Sequence, residues 1–336
     1  MTMSFSRARR ARLAGLLALP LLAAALGMAP AASAADFPAK VVRLVVPFAP
    51  GTATEIWARA VAPLLQNLWG QPVIVENRPG AGGLVGAEAV SRADPDGHTI
   101  LLGSQSTAMG KLTMAGIRFD PQQVLLPVRK VVNFKIVLVT NAQTHAKAKD
   151  IREFAVLSQS RPDGVFFGST GVGSATGVAG IIASKGLGIA YTPIDYPGLA
   201  QYLVGLQRDD VQYVVYPANV IKPFVDKGQV YPLVALSDAR FAEMPATPTL
   251  REAGYQGYMP QLWNGLFVPR GTPPAVIDRI NRDVQAVTST PDFQQTLEAQ
   301  VGGVAPPSDP RGFAREIEEE TRQWKSFFSS IGFKPL

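Results

Sequence analysis

Cysteine is absent from the 336-residue sequence, and histidine occurs only twice. The first absence removes disulfide frameworks, thiolate nucleophiles, thiolate zinc sites and iron–sulfur clusters. The second leaves little for other transition metals. Nucleotide and hydrolase signatures are missing as well. A dinucleotide fingerprint needs a third glycine, but Gly80-x-Gly82 is followed by Val85 at that place and Gly171-x-Gly173 by Thr176. Gly110-Lys111 runs into Leu112 where a P-loop needs Ser or Thr, and no G-x-S-x-G elbow occurs. His98 starts a strand after a turn, and His145 lies in a polar connector with Lys147 and Lys149, so neither is read as catalytic. The acidic run Glu316 to Glu320 is read as the solvated face of a helix rather than a metal site. No cofactor is expected.

Positive charge is what the sequence has in excess, at +6, and much of it is local. Arg7, Arg9, Arg10 and Arg12 precede an apolar run from Leu13 to Leu26 and the box Ala32-Ser33-Ala34, with no acid among them. That is a basic n-region, an apolar h-region and a small-residue cleavage site. The apolar run is shorter than the roughly 20 residues that span a bilayer. Residues 1–34 are therefore expected to be a cleaved signal peptide, exporting the chain to the periplasm. The Arg9-Arg10 pair fits a Sec or a twin-arginine leader. Loss of four arginines would bring the net charge to +2, which removes the case for a nucleic-acid partner. No cysteine follows the box, so a lipid anchor is not expected. The remaining length exceeds what one core usually fills, which predicts two lobes.

Strands and helices alternate through the rest, predicting parallel α/β sheets. Val41–Val46, Val73–Glu76 and His98–Leu102 read as strands separated by helices over 55–68 and 84–93. The rhythm resumes with strands at 134–140, 165–168, 189–192, 211–215, 233–237 and 265–268. Helices are expected at 199–206, 274–288, 291–299 and 310–329. In such sheets ligands sit beyond the carboxyl ends of strands, where unpaired N–H groups and positive helix ends can hold an anion. Three loops fit that description: Pro47–Glu55, Gly103–Thr107 and Gly168–Thr176. They carry hydroxyls and small residues with few cations, a composition suited to a carboxylate more than to a phosphate.

The string PFAPGTATEIWARAVAPLLQNLWGQPVIVENRPGAGGLVGAEAVSRADPDGHTILLGS, Pro47 to Ser104, resembles the opening of Bug-type substrate-binding proteins, the TctC-like receptors of tripartite tricarboxylate transporters. Similar matches follow in family order at Phe167–Thr176, Gly228–Arg240, Pro245–Gly254 and Trp263–Pro273. The resemblance implies a two-lobed Venus-flytrap fold of periplasmic binding proteins, each lobe a mostly parallel sheet flanked by helices. Lobe 1 would be 35–139 plus 240–336 and lobe 2 140–239, with crossings near 137–140 and 235–240. It also implies a small organic carboxylate in the cleft, membrane components of such a transporter as partners, a monomer, and no enzymatic activity. A ligand sensor feeding a two-component system, or an exported α/β enzyme, is the alternative.

The ligand-binding residues expected on this footing begin with Phe48, Ala49, Gly51, Thr52, Ala53 and Thr54 after the first strand. Ser104, Gln105, Ser106 and Thr107 follow the third. Ser169, Thr170, Gly173, Ser174, Ala175 and Thr176 open the second lobe, with Asp195, Tyr196 and Tyr216 beside them. The sequence departs from the family pattern at Thr52, which replaces a glycine, and at Glu55, which replaces Asp. It departs again at Gly177, where a His is usual, and at Tyr196-Pro197-Gly198, where Tyr-Lys-Gly is usual. Linear dicarboxylates, tricarboxylates, acidic amino acids, nicotinate-like and aromatic acids all remain open as ligands.

Overall fold

The computed structural model describes residues 37–169, 171, 174–196, 199–257, 261–303 and 305–330. The expected signal peptide, Thr170 and Gly173 lie outside them. The first half runs β1 (Val42–Val46), α1 (Ala53–Trp69), β2 (Val73–Asn77), α2 (Leu84–Ser91), β3 (Thr99–Ser104), three short helices α3 (Gln105–Ala108), α4 (Gly110–Thr113) and α5 (Pro121–Val124), and β4 (Leu125–Asn133). Then come β5 (Ile136–Thr140), α6 (Ala142–Lys147), α7 (Ile151–Gln159), β6 (Val165–Ser169), α8 (Ala175–Gly186), β7 (Tyr191–Asp195), α9 (Leu199–Gln207), β8 (Tyr213–Pro217), α10 (Ala218–Asp226) and β9 (Tyr231–Ala235). The chain ends in β10 (Trp263–Pro269), α11 (Pro274–Thr288), α12 (Pro291–Gln300) and α13 (Pro310–Ser330).

The strands form two five-stranded sheets, ordered β2-β1-β3-β10-β4 and β7-β6-β8-β5-β9. Each is parallel except for its fourth strand, β10 in the first and β5 in the second. Helices cover both faces, which is why β5 and, apart from the exposed Arg43, β1 read as apolar runs rather than alternating ones. Val42, Leu44, Val45 and Val46 are all buried, as is every residue of β5. On one face of the first sheet Trp57 of α1 packs with Ile280 of α11 and Leu297 of α12; on the other, Leu101 and Trp263 pack with Phe313 and Trp324 of α13. Helix α1 begins where Thr52 accepts from Glu55 N and ends at Gly70, whose φ of 64° lets its N–H close on Gln66 O.

Both antiparallel strands directly follow a passage between sheets. Phe134 N donates to Leu262 O at 2.8 Å, so the two passages lie side by side. This differs from the expected crossings at 137–140 and 235–240. The apolar run of β5 is needed between β8 and β9, so the change of sheet comes earlier, at Phe134 and Lys135. Phe241 and Met244 pack on one face of the second sheet and Leu250 and Tyr255 on the other, so the chain rejoins the first sheet only at Trp263. We propose lobe 1 as 37–133 plus 263–330 and lobe 2 as 136–257.

Lys135 stands at that passage and bridges Glu243 (3.3 Å) and Glu298 (3.1 Å), one from each half. All three are partly solvated, so each pair contributes up to about 1 kcal/mol. Lys135→Met is expected to lower stability by no more than that while broadening the distance between spin labels on α7 and α12. An unchanged distance distribution would show that the bridge does not restrain the halves.

Candidate functional site

Because β2, β1 and β3 are parallel, their carboxyl-terminal loops emerge on one side, and the sequence there builds mutually braced turns. Asn77 Nδ2 donates to Phe48 O at 3.0 Å, and Thr52 Oγ1 donates to Ala49 O at 3.0 Å. Gly51 N donates to Glu55 Oε2 at 3.2 Å. Glu55 is buried and paired with Arg59, so the acid that replaces the family's Asp carries its own counter-charge. Thr54 Oγ1 donates to Asn264 Oδ1 at 3.1 Å, and Asn264 Nδ2 reaches Gly103 O at 3.4 Å, tying this loop to β10 and β3. Ala49 and Gly51 are exposed; Phe48, Thr52 and Ala53 are half-buried.

The turn after β3 is the most enclosed. Ser104 caps α3, taking Thr107 N at 3.3 Å, and its hydroxyl lies 2.8 Å from Ser106 Oγ and 3.1 Å from Thr107 Oγ1. Thr107 Oγ1 also donates to Gly82 O at 3.3 Å. Gly83 makes that approach possible: its φ is +98°, and a Cβ there would sit 2.3 Å from Thr107 Oγ1. Gln105 differs from expectation. Its amide turns away from the loop into the core, donating to Glu320 Oε2 at 3.2 Å, because α13 places an acceptor there.

In the second sheet Ser169 Oγ donates to Asp195 Oδ1 at 3.0 Å while accepting Gly171 N at 3.1 Å, and Tyr196 N donates to Ser169 O at 2.8 Å. Ser174 Oγ donates to Gly171 O at 2.7 Å and caps α8 by accepting Gly177 N at 3.1 Å; Thr176 Oγ1 is 3.4 Å from it. Ser174, Ala175 and Thr176 are half-buried and Asp195 is exposed. Tyr196, Tyr202 and Tyr216 form an edge-on series with ring centroids 6.4 and 5.4 Å apart. Only Tyr202 of the three is core; Tyr196 and Tyr216 keep part of their surface in solvent.

The turn after β3 and the first turns of α8 face each other. Val178 and Ile182 of α8 share one apolar cluster with Ala108 and Met109. Thus α8, which Ser174–Thr176 open, packs against the short helix that Ser104 caps, although the two follow strands of different sheets. The residues discussed in these loops include no Lys or Arg, so their free donors are hydroxyls and main-chain N–H groups. Such donors suit a small carboxylate, whereas phosphate usually draws Arg or Lys. A cavity of about 100 Å³ lies behind Thr107 and Ala108, walled by Leu101, Leu125, Phe267 and Ile317.

Both histidines lie apart from the loops. His98 Nε2 accepts Ala39 N at 3.1 Å. His145 stacks on Tyr231 at 4.3 Å, and burial, with Lys149 adding, pushes its pKa down. The acidic run also differs from expectation. Glu320 is 7% exposed, because its place on α13 faces β10 and α3 rather than solvent. Among the described residues no group of three or more His, Asp or Glu is placed to hold a metal ion, and no helix is long and apolar enough to cross a membrane.

Comparison with known proteins places this geometry. Protein BugT of Bordetella pertussis is 32% identical over 314 residues, covering 92% of this chain and 94% of that one. MatC of Rhodopseudomonas palustris, solved with bound malate, is 29% identical with a TM-score of 0.77, covering 87% of this chain and 99% of that one. Rpa4515 of R. palustris, solved with adipate, is 26% identical with a TM-score of 0.79, covering 90% and 100%. The two-sheet architecture is that of the periplasmic binding proteins. Residues 57–333 match the model described as tripartite tricarboxylate transporter family receptor, a span that takes in every strand but β1 and all but the first of the loops built above; with that span and the likeness to BugT, the chain belongs to this family of solute-binding receptors.

Proposed function

We propose that this protein is an exported, periplasmic receptor that closes its two lobes on a small organic carboxylate and hands it to the membrane components of a tripartite tricarboxylate-type transporter. It acts as a monomer and carries out no chemistry on its ligand. The observation that carries the reading is the packing against each other of two helices from different sheets whose opening turns, Ser104–Thr107 and Ser174–Thr176, are serine-capped and free of Lys and Arg. A ligand held by both makes its full contacts only when the lobes are closed, so it biases that equilibrium through the difference. Relatives solved with malate and adipate make linear dicarboxylates the first compounds to test.

The test is a thermal-shift screen of residues 35–336 against linear, aromatic and amino-acid carboxylates, with phosphates and sugars as controls. A ligand at one hundred times its Kd adds about 2.7 kcal/mol of stability, an easily read shift. Stabilisation by phosphates or sugars alone would overturn the carboxylate reading. With a carboxylate found, Ser174→Ala and Thr176→Ala are each expected to weaken it by roughly tenfold, since an unpaired buried oxygen costs about 1–3 kcal/mol. Calorimetric titration showing both variants unchanged would remove the second-lobe loop from the site.

A further inference from the structure

Glu320 lies where the receptor's working parts leave no obvious need for an acid. It sits on α13 with its side chain closed off from solvent, and its Oε2 accepts from two neutral donors, Trp263 Nε1 at 2.8 Å and Gln105 Nε2 at 3.2 Å. Trp263 is fully buried on β10, the strand that follows the second passage between sheets. Gln105 is fully buried at the start of α3, inside the Ser104–Thr107 turn, and its Oε1 finds no partner. A nine-tenths buried acid that joins the passage strand to the ligand turn is more than core filling. Leucine would fill the space, but the indole and amide N–H groups would then lack an acceptor.

We propose that Glu320 is a positioning residue for ligand capture, holding Gln105 and through it the hydroxyls of Ser104, Ser106 and Thr107 in place against β10. The proposal rests on the reading of that turn as ligand-contacting. Charged groups acting on Glu320 are Glu316 on its own helix and Lys130 on β4, which pair with each other; α3 and β10 present only the neutral amide and indole. Burial foremost, with Glu316 adding, pushes the Glu320 carboxyl up to about 7 against the pull of Trp263, Gln105 and Lys130. The anchor therefore changes charge near neutrality.

The experiment uses the unliganded protein, so it does not wait on a ligand. In Glu320→Leu, hydrogen exchange of the amides at 104–109 is expected to speed up tenfold or more while β2 and α7 keep their rates. Glu320→Gln, which retains an acceptor oxygen, is expected to restore most of the protection. In the wild type the Trp263 indole N–H resonance is expected to titrate with a midpoint near 7, and in Glu320→Gln to stay flat. Exchange at 104–109 unchanged in Glu320→Leu, or accelerated equally across the first lobe, would overturn the positioning role. A wild type that binds no carboxylate in the screen above would overturn the receptor reading alone, because the anchor is measured without ligand. A wild type that binds one, with Glu320→Leu binding it equally well, would overturn the anchor alone.

Discussion

Gly180→Ala is expected to destabilise the second lobe by about 3 kcal/mol, the upper end of ordinary overpacking. Two effects compete. Alanine in place of glycine inside a helix gains about 1 kcal/mol of helix propensity. Against that, a Cβ at Gly180 would stand 2.0 Å from Phe167 Cζ and 2.6 and 2.7 Å from its Cε atoms. That ring cannot retreat, for Phe167 is fully buried, stacked on Tyr213 at 4.9 Å and met edge-on by Tyr191. Nor can the helix slide freely, since Ser184 of α8 bonds both Gly180 O at 2.7 Å and Tyr213 Oη at 2.6 Å. The clash therefore wins. The same helix presents Ser174, Ala175 and Thr176 at its amino end, so ligand affinity is expected to fall at least tenfold along with stability. Urea unfolding and titration of the ligand found in the screen would check both. The double variant Gly180→Ala with Phe167→Leu is expected to recover part of the loss; if it recovers none, Phe167 is not the obstacle.

This steric lock shows where the sequence was readable and where it was not. Small residues from Ser169 to Thr176 announced a loop leading from strand to helix, whereas the capping of α8 by Ser174 is a finding of the structure. What Gly180 must avoid is a ring thirteen positions earlier, on the neighbouring strand, which no local pattern reports. The same distinction runs through the first lobe. Strands β1, β2, β3 and β5 each carry three or more aliphatic residues with at most one charged residue and were legible within two residues, and α11 was legible to the residue. Strand β4 was not, because Arg129 and Lys130 break its run. Both are buried, and both are satisfied from afar: Arg129 donates to Asn281 O at 3.0 Å on α11, and Lys130 pairs with Glu316 on α13. Helices α7 and α10 were missed as well, the first being short and amphipathic within a polar stretch. The loops of the site were legible as turns with hydroxyls. Glu320 was hidden, because its sequence neighbours Glu318 and Glu319 are solvent-facing acids and only the packing of α13 against β10 sets it apart.

Glu320 also makes stability depend on pH in a direction opposite to that of most acids. Its carboxyl is held up to about 7 in the folded protein but returns to the ordinary carboxylate range on unfolding. Between those two values the native state binds the proton more tightly than the unfolded state, so the contribution is complete below the ordinary range and is lost as pH rises to about 7. The gap corresponds to on the order of 3 kcal/mol, with little screening because the group is buried. Other carboxylates titrate over the same range, so the wild type alone does not isolate the effect. The difference between wild type and Glu320→Gln does, since the variant keeps the acceptor and loses only the proton. Urea midpoints of the first-lobe transition, followed from pH 5 to pH 8, are expected to show the wild-type advantage shrinking by about that amount and then levelling off. A constant difference would mean that Glu320 titrates in its native setting as it does unfolded, and that the hydrogen bonds from Trp263 and Gln105 offset the whole cost of burying its charge.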